Sequence, residues 1–230
     1  MDVMIGVPAF RASVSTETLN AIVGICALLA ARSHQFVIAV VSSAEVSVAR
    51  NLLANEFLKS NCSLFIGIDD DVGIDVELFA QLLDLDQVML GVYLPRRLLD
   101  LDQFEKAVAK GLRGRAALVE AAPLMGPALG NPEVPLHPRV FEVPYIPMGF
   151  YMVRRAVFEE MIKLDLALET QTILPTYSGI TIGFYNNIVD RGNYLGEDMS
   201  FCERVRKAGF PVMAYVGPGI THTGPMTFRS

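Results

Sequence analysis

The segment Ser63-Leu64-Phe65-Ile66-Gly67-Ile68 runs without a charge into three consecutive carboxylates, Asp69, Asp70 and Asp71. A short apolar run ending this way reads as a strand buried on both faces, the habit of parallel sheets. Asp69 and Asp71 are two apart, so on an extended backbone their side chains share a face. Like charges that close repel, and a fold tolerates them best where a cation is expected. Hard oxygen donors suit Mg²⁺ or Mn²⁺. A metal held by one or two carboxylates keeps positions open for substrate phosphates.

The residues around this segment repeat a pattern of short β-like and longer helix-like stretches. Strands are expected at Val3 to Val7, Phe36 to Val41, Leu64 to Asp69 and Val88 to Tyr93. Helices are expected from Ser15 or Thr16 to Ala31, with Thr16 as N-cap, from Glu45 to Lys59, and from Val76 to Leu83. This order implies right-handed crossovers in a doubly wound, mainly parallel central sheet with helices on both faces, hence an α/β fold. Ligands of such sheets gather at the carboxyl ends of the strands. Pro8 and Ala9, Asp69 to Asp71, and Pro95-Arg96-Arg97 all lie there.

The middle of the chain differs. Leu98 to Gly114 has room for one helix, but Pro123 to Pro147 holds seven prolines and two glycines. That density excludes a long helix and suggests a loop with short extended pieces, a lid or an acceptor-binding wall. Beyond it, strands are expected at Met148 to Val153, Gly179 to Phe184 and Val212 to Val216. Helices are expected at Arg154 to Leu164 and Glu197 to Ala208, with Gly209 as a stop. Three segments result: an α/β half over 1–97, a Pro-rich region over 98–147, and a smaller mixed half over 148–230. Together they form one compact domain.

Composition narrows the partners. With 52% apolar and 19% charged residues the chain is globular. A net charge of −6, and no basic cluster longer than a pair, argue against nucleic acid. Cys26, Cys62 and Cys202 form no Cys-x-x-Cys pair, so neither a zinc cluster nor a disulfide framework is suggested, and reduced cytoplasmic thiols are expected. The longest apolar helix-like segment, Ala21 to Ala31, is too short to span a bilayer, so no transmembrane anchor is expected and peripheral association stays open. No charged leader with a cleavable apolar region opens the chain.

Two further clusters could carry chemistry. Glu197 and Asp198 fall at a helix start, where acids serve either as dipole-favoured caps or as carboxylates projected into a cleft. Arg204 and Arg206 of that helix read as surface residues. His222, in Gly219-Ile220-Thr221-His222-Thr223-Gly224, is either a structural histidine or a ligand for a Mn²⁺-type ion.

Taken in order, these motifs resemble the glycosyltransferases of the GT-A fold, in particular the nucleotide-sugar-dependent members with an Asp-x-Asp metal motif. The resemblance rests on Gly6-Val7-Pro8, Ala49-Arg50-Asn51, Phe65-Ile66-Gly67-Ile68-Asp69-Asp70-Asp71 and Gly91-Val92-Tyr93-Leu94-Pro95-Arg96-Arg97. It continues through Pro147-Met148-Gly149-Phe150-Tyr151-Met152-Val153-Arg154-Arg155, Gly196-Glu197-Asp198 and His222-Thr223-Gly224. It implies a Mn²⁺- or Mg²⁺-dependent enzyme that moves a sugar from a UDP- or GDP-sugar donor to a hydroxyl of a glycan, lipid or protein acceptor. Asp69, Asp71 and His222 would hold the metal. Pro8, Ala9, Arg50, Asp69, Asp70 and Arg97 would meet the nucleotide, and Asp198 would be the base with Glu197 beside it. The alternatives are a non-catalytic nucleotide-sugar-binding module and a sugar-phosphate nucleotidyltransferase. The second is disfavoured because Pro8-Ala9-Phe10-Arg11-Ala12-Ser13 lacks a Gly-rich phosphate loop. No Gly-x-x-x-x-Gly-Lys-Ser/Thr motif is present and no Gly-x-Gly-x-x-Gly follows the first strand, which argues against P-loop and dinucleotide-binding readings.

Overall fold

A computed structural model describes residues 1–95, 100–120, 124–125, 139–174 and 177–224 of the chain. The first half runs β1 (Asp2–Ala9), α1 (Thr16–Ala31), β2 (Gln35–Ser42), α2 (Val46–Lys59), β3 (Leu64–Ile68), β4 (Val72–Ile74), α3 (Val76–Asp84), β5 (Met89–Val92) and β6 (Leu94–Pro95). Ser15, not Thr16, caps α1: its hydroxyl accepts the Thr18 N–H at 3.1 Å. Where one helix was expected after residue 98 there are two, α4 (Leu101–Ala109) and α5 (Arg115–Glu120), followed by β7 (Leu124–Met125). The remainder is β8 (Val140–Glu142), β9 (Phe150–Arg154), α6 (Arg155–Lys163), β10 (Glu169–Leu174), β11 (Tyr177–Ile182), β12 (Ile188–Asp190), β13 (Asn193–Leu195), α7 (Glu197–Lys207), β14 (Met213–Tyr215) and β15 (Ile220–His222). The expected lid over 123–147 falls largely outside the described residues, as do Arg96 and Arg97.

The α/β class holds, but the central sheet is mixed. Among the described residues it has seven strands in the order β2-β1-β3-β9-β5-β14-β8. The pairs β1–β2, β1–β3 and β5–β14 are parallel, whereas β9 runs antiparallel to both β3 and β5, and β8 antiparallel to β14. Apart from its last residue, Arg154, β9 is as apolar and as buried as β3 and β5, so its side-chain pattern carries no sign of its direction.

Strand alternation divides the core between the two faces. Val3, Ile5, Val7, Leu64, Ile66 and Ile68 pack with Ile22, Ile25 and Leu29 of α1 and with Leu78 and Phe79 of α3. Met4 and Phe65 face the other way, onto Leu53 and Phe57 of α2, Phe158 of α6 and Phe201 of α7. Gly67 sits opposite Tyr151 in register, and a Cβ there would lie 2.3 Å from the tyrosine ring. Only glycine lets β9 approach β3 with that ring inside. The consecutive Arg154 and Arg155 at the start of α6 have structural duties. Arg155 donates to the carbonyls of Phe57, Leu58, Ser60 and Cys62, closing the end of α2, and Arg154 pairs with Asp86. Arg204 is buried rather than on the surface, and donates to the carbonyls of Leu166 and Phe184. Burial lowers its pKa to about 10.

Candidate functional site

The strand ends converge as expected of an α/β sheet. An open cleft of about 640 Å³ is lined by Pro8, Arg50, Asp69, Asp70, Asp71, Glu197, Asp198 and His222, residues from five separate parts of the chain. Two of the expected contributors differ. Ala9 is 1% exposed and belongs to the core beneath the wall. Arg97 lies outside the described residues.

The last strand explains how His222 arrives. β15 pairs antiparallel with β4, placing His222 opposite Val72, the residue after Asp71. Thr223 N–H donates to the Asp71 carbonyl at 2.7 Å, and Thr223 Oγ1 bonds Glu17 of α1 at 3.2 Å. Gly73 faces Thr221, where a Cβ would stand 2.4 Å from the threonine hydroxyl. A side chain at residue 73 would therefore push the histidine strand away.

His222 is 5% exposed at its side chain, and its Nδ1 lies 2.8 Å from the Pro95 carbonyl oxygen. A carbonyl only accepts, so Nδ1 carries a proton and, in the neutral ring, Nε2 presents its lone pair. Nε2 faces Asp71 Oδ1 at 3.5 Å. Two electron-rich atoms so placed repel unless the ring takes a second proton or a cation lies between them. Histidine ligands of metals are typically oriented in this way, with the far nitrogen donating to a carbonyl. Adjacent ligands of an octahedral ion at about 2.1 Å stand roughly 3 Å apart, close to the spacing found here.

Asp69 is otherwise engaged. Arg50, itself buried, donates Nη2 to both its carboxylate oxygens at 2.9 and 3.1 Å and Nη1 to Glu197 Oε1 at 3.0 Å. Burial, the largest influence, raises the Asp69 pKa, and Asp71 adds to it. A guanidinium that keeps its proton at this distance nevertheless holds the carboxylate ionised at neutral pH. Among the described residues no three His, Cys, Asp or Glu side chains are gathered to hold a metal. The expected ligand set of Asp69, Asp71 and His222 thus reduces to Asp71 and His222, because Asp69 is turned to Arg50. Two protein ligands suit an ion whose other positions go to phosphate oxygens and water. Asp70 is also committed, accepting the Phe10 N–H at 2.6 Å and fixing the loop after β1.

Arg50 is therefore a brace between the tip of β3 and the start of α7. Arg50→Ala leaves two carboxylates without their counter-ion. With Asp69 and Glu197 each about a quarter exposed, the expected cost is about 2–3 kcal/mol, below the full penalty of a wholly buried pair. Urea unfolding checks this. Arg50→Lys should recover little, since a single ammonium does not reach both carboxylates in the same fork.

Asp198 stands on the first turn of α7, where its Oδ1 accepts the Met199 N–H at 2.6 Å. Burial, first, and the neighbouring Glu197 raise its pKa, against the bond from Met199 and the charge of Arg50. A half-buried aspartate with raised basicity, facing the same cleft as Asp71 and His222, has the character of a general base.

Several residues that hold the site in place are not legible in the sequence. The Pro95 carbonyl that orients His222 has no side-chain signal, and Glu17 reads only as a first-turn acid of α1. Met148 and Gly149, whose carbonyls accept from Arg50 and from the Asp69 N–H, lay in a quoted motif but had no role assigned.

No family model matches the chain, and no curated protein matches it. Among solved structures the chain is similar to the crystal structure of A197 from STIV, with 15% identity over 98% of this chain and 87% of that one. The TM-score is 0.48. Among the described residues, no helix is long and apolar enough to cross a membrane.

Proposed function

We propose that the protein is a metal-dependent glycosyltransferase of the GT-A type, moving a sugar from a nucleotide-sugar donor to an acceptor hydroxyl. The observation that supports this reading is the His222 ring, with Nδ1 committed to Pro95 and Nε2 turned to Asp71 across 3.5 Å. Asp71 and His222 would hold Mn²⁺ or Mg²⁺. When bound, the ion would offset negative charge on the departing nucleoside diphosphate. Pro8, Ser43, Ala44 and Val46 form the wall left for the nucleoside. Arg50 keeps Asp69 and Glu197 in place, and Asp198 takes the proton from the acceptor hydroxyl if the reaction inverts at the anomeric carbon.

A thermal-shift screen of nucleoside diphosphates and nucleotide sugars, with and without Mn²⁺, tests this directly. A ligand at 100 times its dissociation constant adds about 2.7 kcal/mol. For a domain of this size that raises Tm by roughly 5–10 °C. The stabilisation should need the metal. Equal shifts with and without Mn²⁺, or none with any nucleotide, would contradict the reading.

A further inference from the structure

Two elements patterned for burial lie exposed together at one edge of the sheet. β2, Gln35-Phe36-Val37-Ile38-Ala39-Val40-Val41-Ser42, carries no charge and no proline, the pattern of a central strand, yet it is the terminal strand of the sheet. Phe36, Ile38 and Val40 pair in register with Val3, Ile5 and Val7, so they project on the α1 side of the sheet. α1 is apolar at every position from Ala21 to Ala31, again the pattern of a helix covered all round. Its Leu19, Val23, Cys26 and Ala30 recur at helical spacing along one flank. The opposite flank, at Gly24, is closed against Val76 of α3, so this flank faces the sheet edge, where α1 packs on β2. Leu19, Val23, Phe36, Ile38 and Val40 are between 39% and 60% exposed.

We infer that this edge is covered by a second copy of the chain, with the two β2 strands pairing antiparallel about a two-fold axis. Antiparallel pairing of identical strands is self-complementary, and the outer edge of β2, which pairs with no other strand among the described residues, offers its N–H and C=O groups to such a partner. The surface carries no charge along its length, so an unlike partner of either sign gains nothing from it, whereas its own copy meets no repulsion. Size agrees. Eight residues span about 26 Å, and the strand with one helix flank is about 15 Å tall, giving roughly 400 Å² of projected area per copy. The true accessible area of a side-chain surface is larger, so the pair buries on the order of 1,000 Å², the lower bound for a specific interface.

Sedimentation velocity on the full chain, from about 1 to 200 µM, should show a monomer passing to a dimer. Ile38→Lys, which places an edge-protecting charge on β2, and Val23→Glu, on the helix flank, should each raise the dissociation constant at least about tenfold with Tm nearly unchanged. If Ile38→Lys fails to fold, Val23→Glu carries the test, because its site is solvent-facing in the monomer. A wild-type chain that stays monomeric overturns the inference, as do variants that dimerise like wild type or assemblies that grow without closing. Flotation of a monomer with phosphatidylcholine–phosphatidylserine vesicles would overturn it too, by assigning the face to a lipid surface.

Discussion

On the proposed reading, Asp71→Ala should remove Mn²⁺-dependent binding of the donor and leave the fold intact. Asp71 lies at the turn between β3 and β4, outside both core clusters, and its backbone carbonyl, which accepts the Thr223 N–H, survives the substitution. What would be lost is one of the two proposed protein ligands. A site with two ligands has no reserve, so donor affinity in Mn²⁺ should fall by at least a hundredfold, about 2.7 kcal/mol. In the thermal-shift experiment the metal-dependent rise in Tm disappears, while the Tm without ligand changes by no more than a few degrees. Retained metal-dependent affinity would remove Asp71 from the metal role.

The parts of this site that could be read in advance are those whose neighbours are close in sequence. β1, β3 and β5 were legible because strands buried on both faces are continuous apolar runs, and their carboxyl ends then mark the cleft. β4 and β15 were not, since three residues each are too few for periodicity, yet their pairing is what brings His222 beside Asp71. Of the β10–β11 hairpin, Gly179 to Phe184 reads as a strand, but Glu169–Leu174, which opens on four consecutive polar residues, does not. The resemblance makes Arg50 a nucleotide contact, whereas the structure commits it to ion pairs. Its partners lie 19 and 147 residues away, so no local pattern could decide between them. Asp69, for the same reason, looked like a free metal ligand.

Asp198→Asn should cut turnover by about 10²–10⁴, the usual worth of a positioned general base, with donor affinity nearly unchanged. Its effect on stability should have the opposite sign. Burial raises the Asp198 pKa in the folded chain, so the native state holds its proton to higher pH than the unfolded state does. A group of that kind stabilises the fold less and less as pH rises from its unfolded pKa through its folded one. Asparagine has no charge to bury and still accepts the Met199 N–H. The variant should therefore be at least as stable as wild type at neutral pH, with an advantage that vanishes in acid. Activity of the wild type should climb with pH through that same raised pKa, so its acid limb sits above the ordinary aspartate range. A helix cap without catalytic duty predicts the reverse pairing: loss of stability and full turnover.

Asp71 and His222 are proposed to meet on one divalent ion, and paramagnetic broadening of histidine ring signals reports that contact. The chain has only three histidines, His34, His137 and His222. Substoichiometric Mn²⁺ with a nucleoside diphosphate should broaden the His222 ring signals selectively, Mg²⁺ should not, and Asp71→Ala should abolish the effect. Broadening that spares His222, or that persists unchanged in Asp71→Ala, would contradict the account.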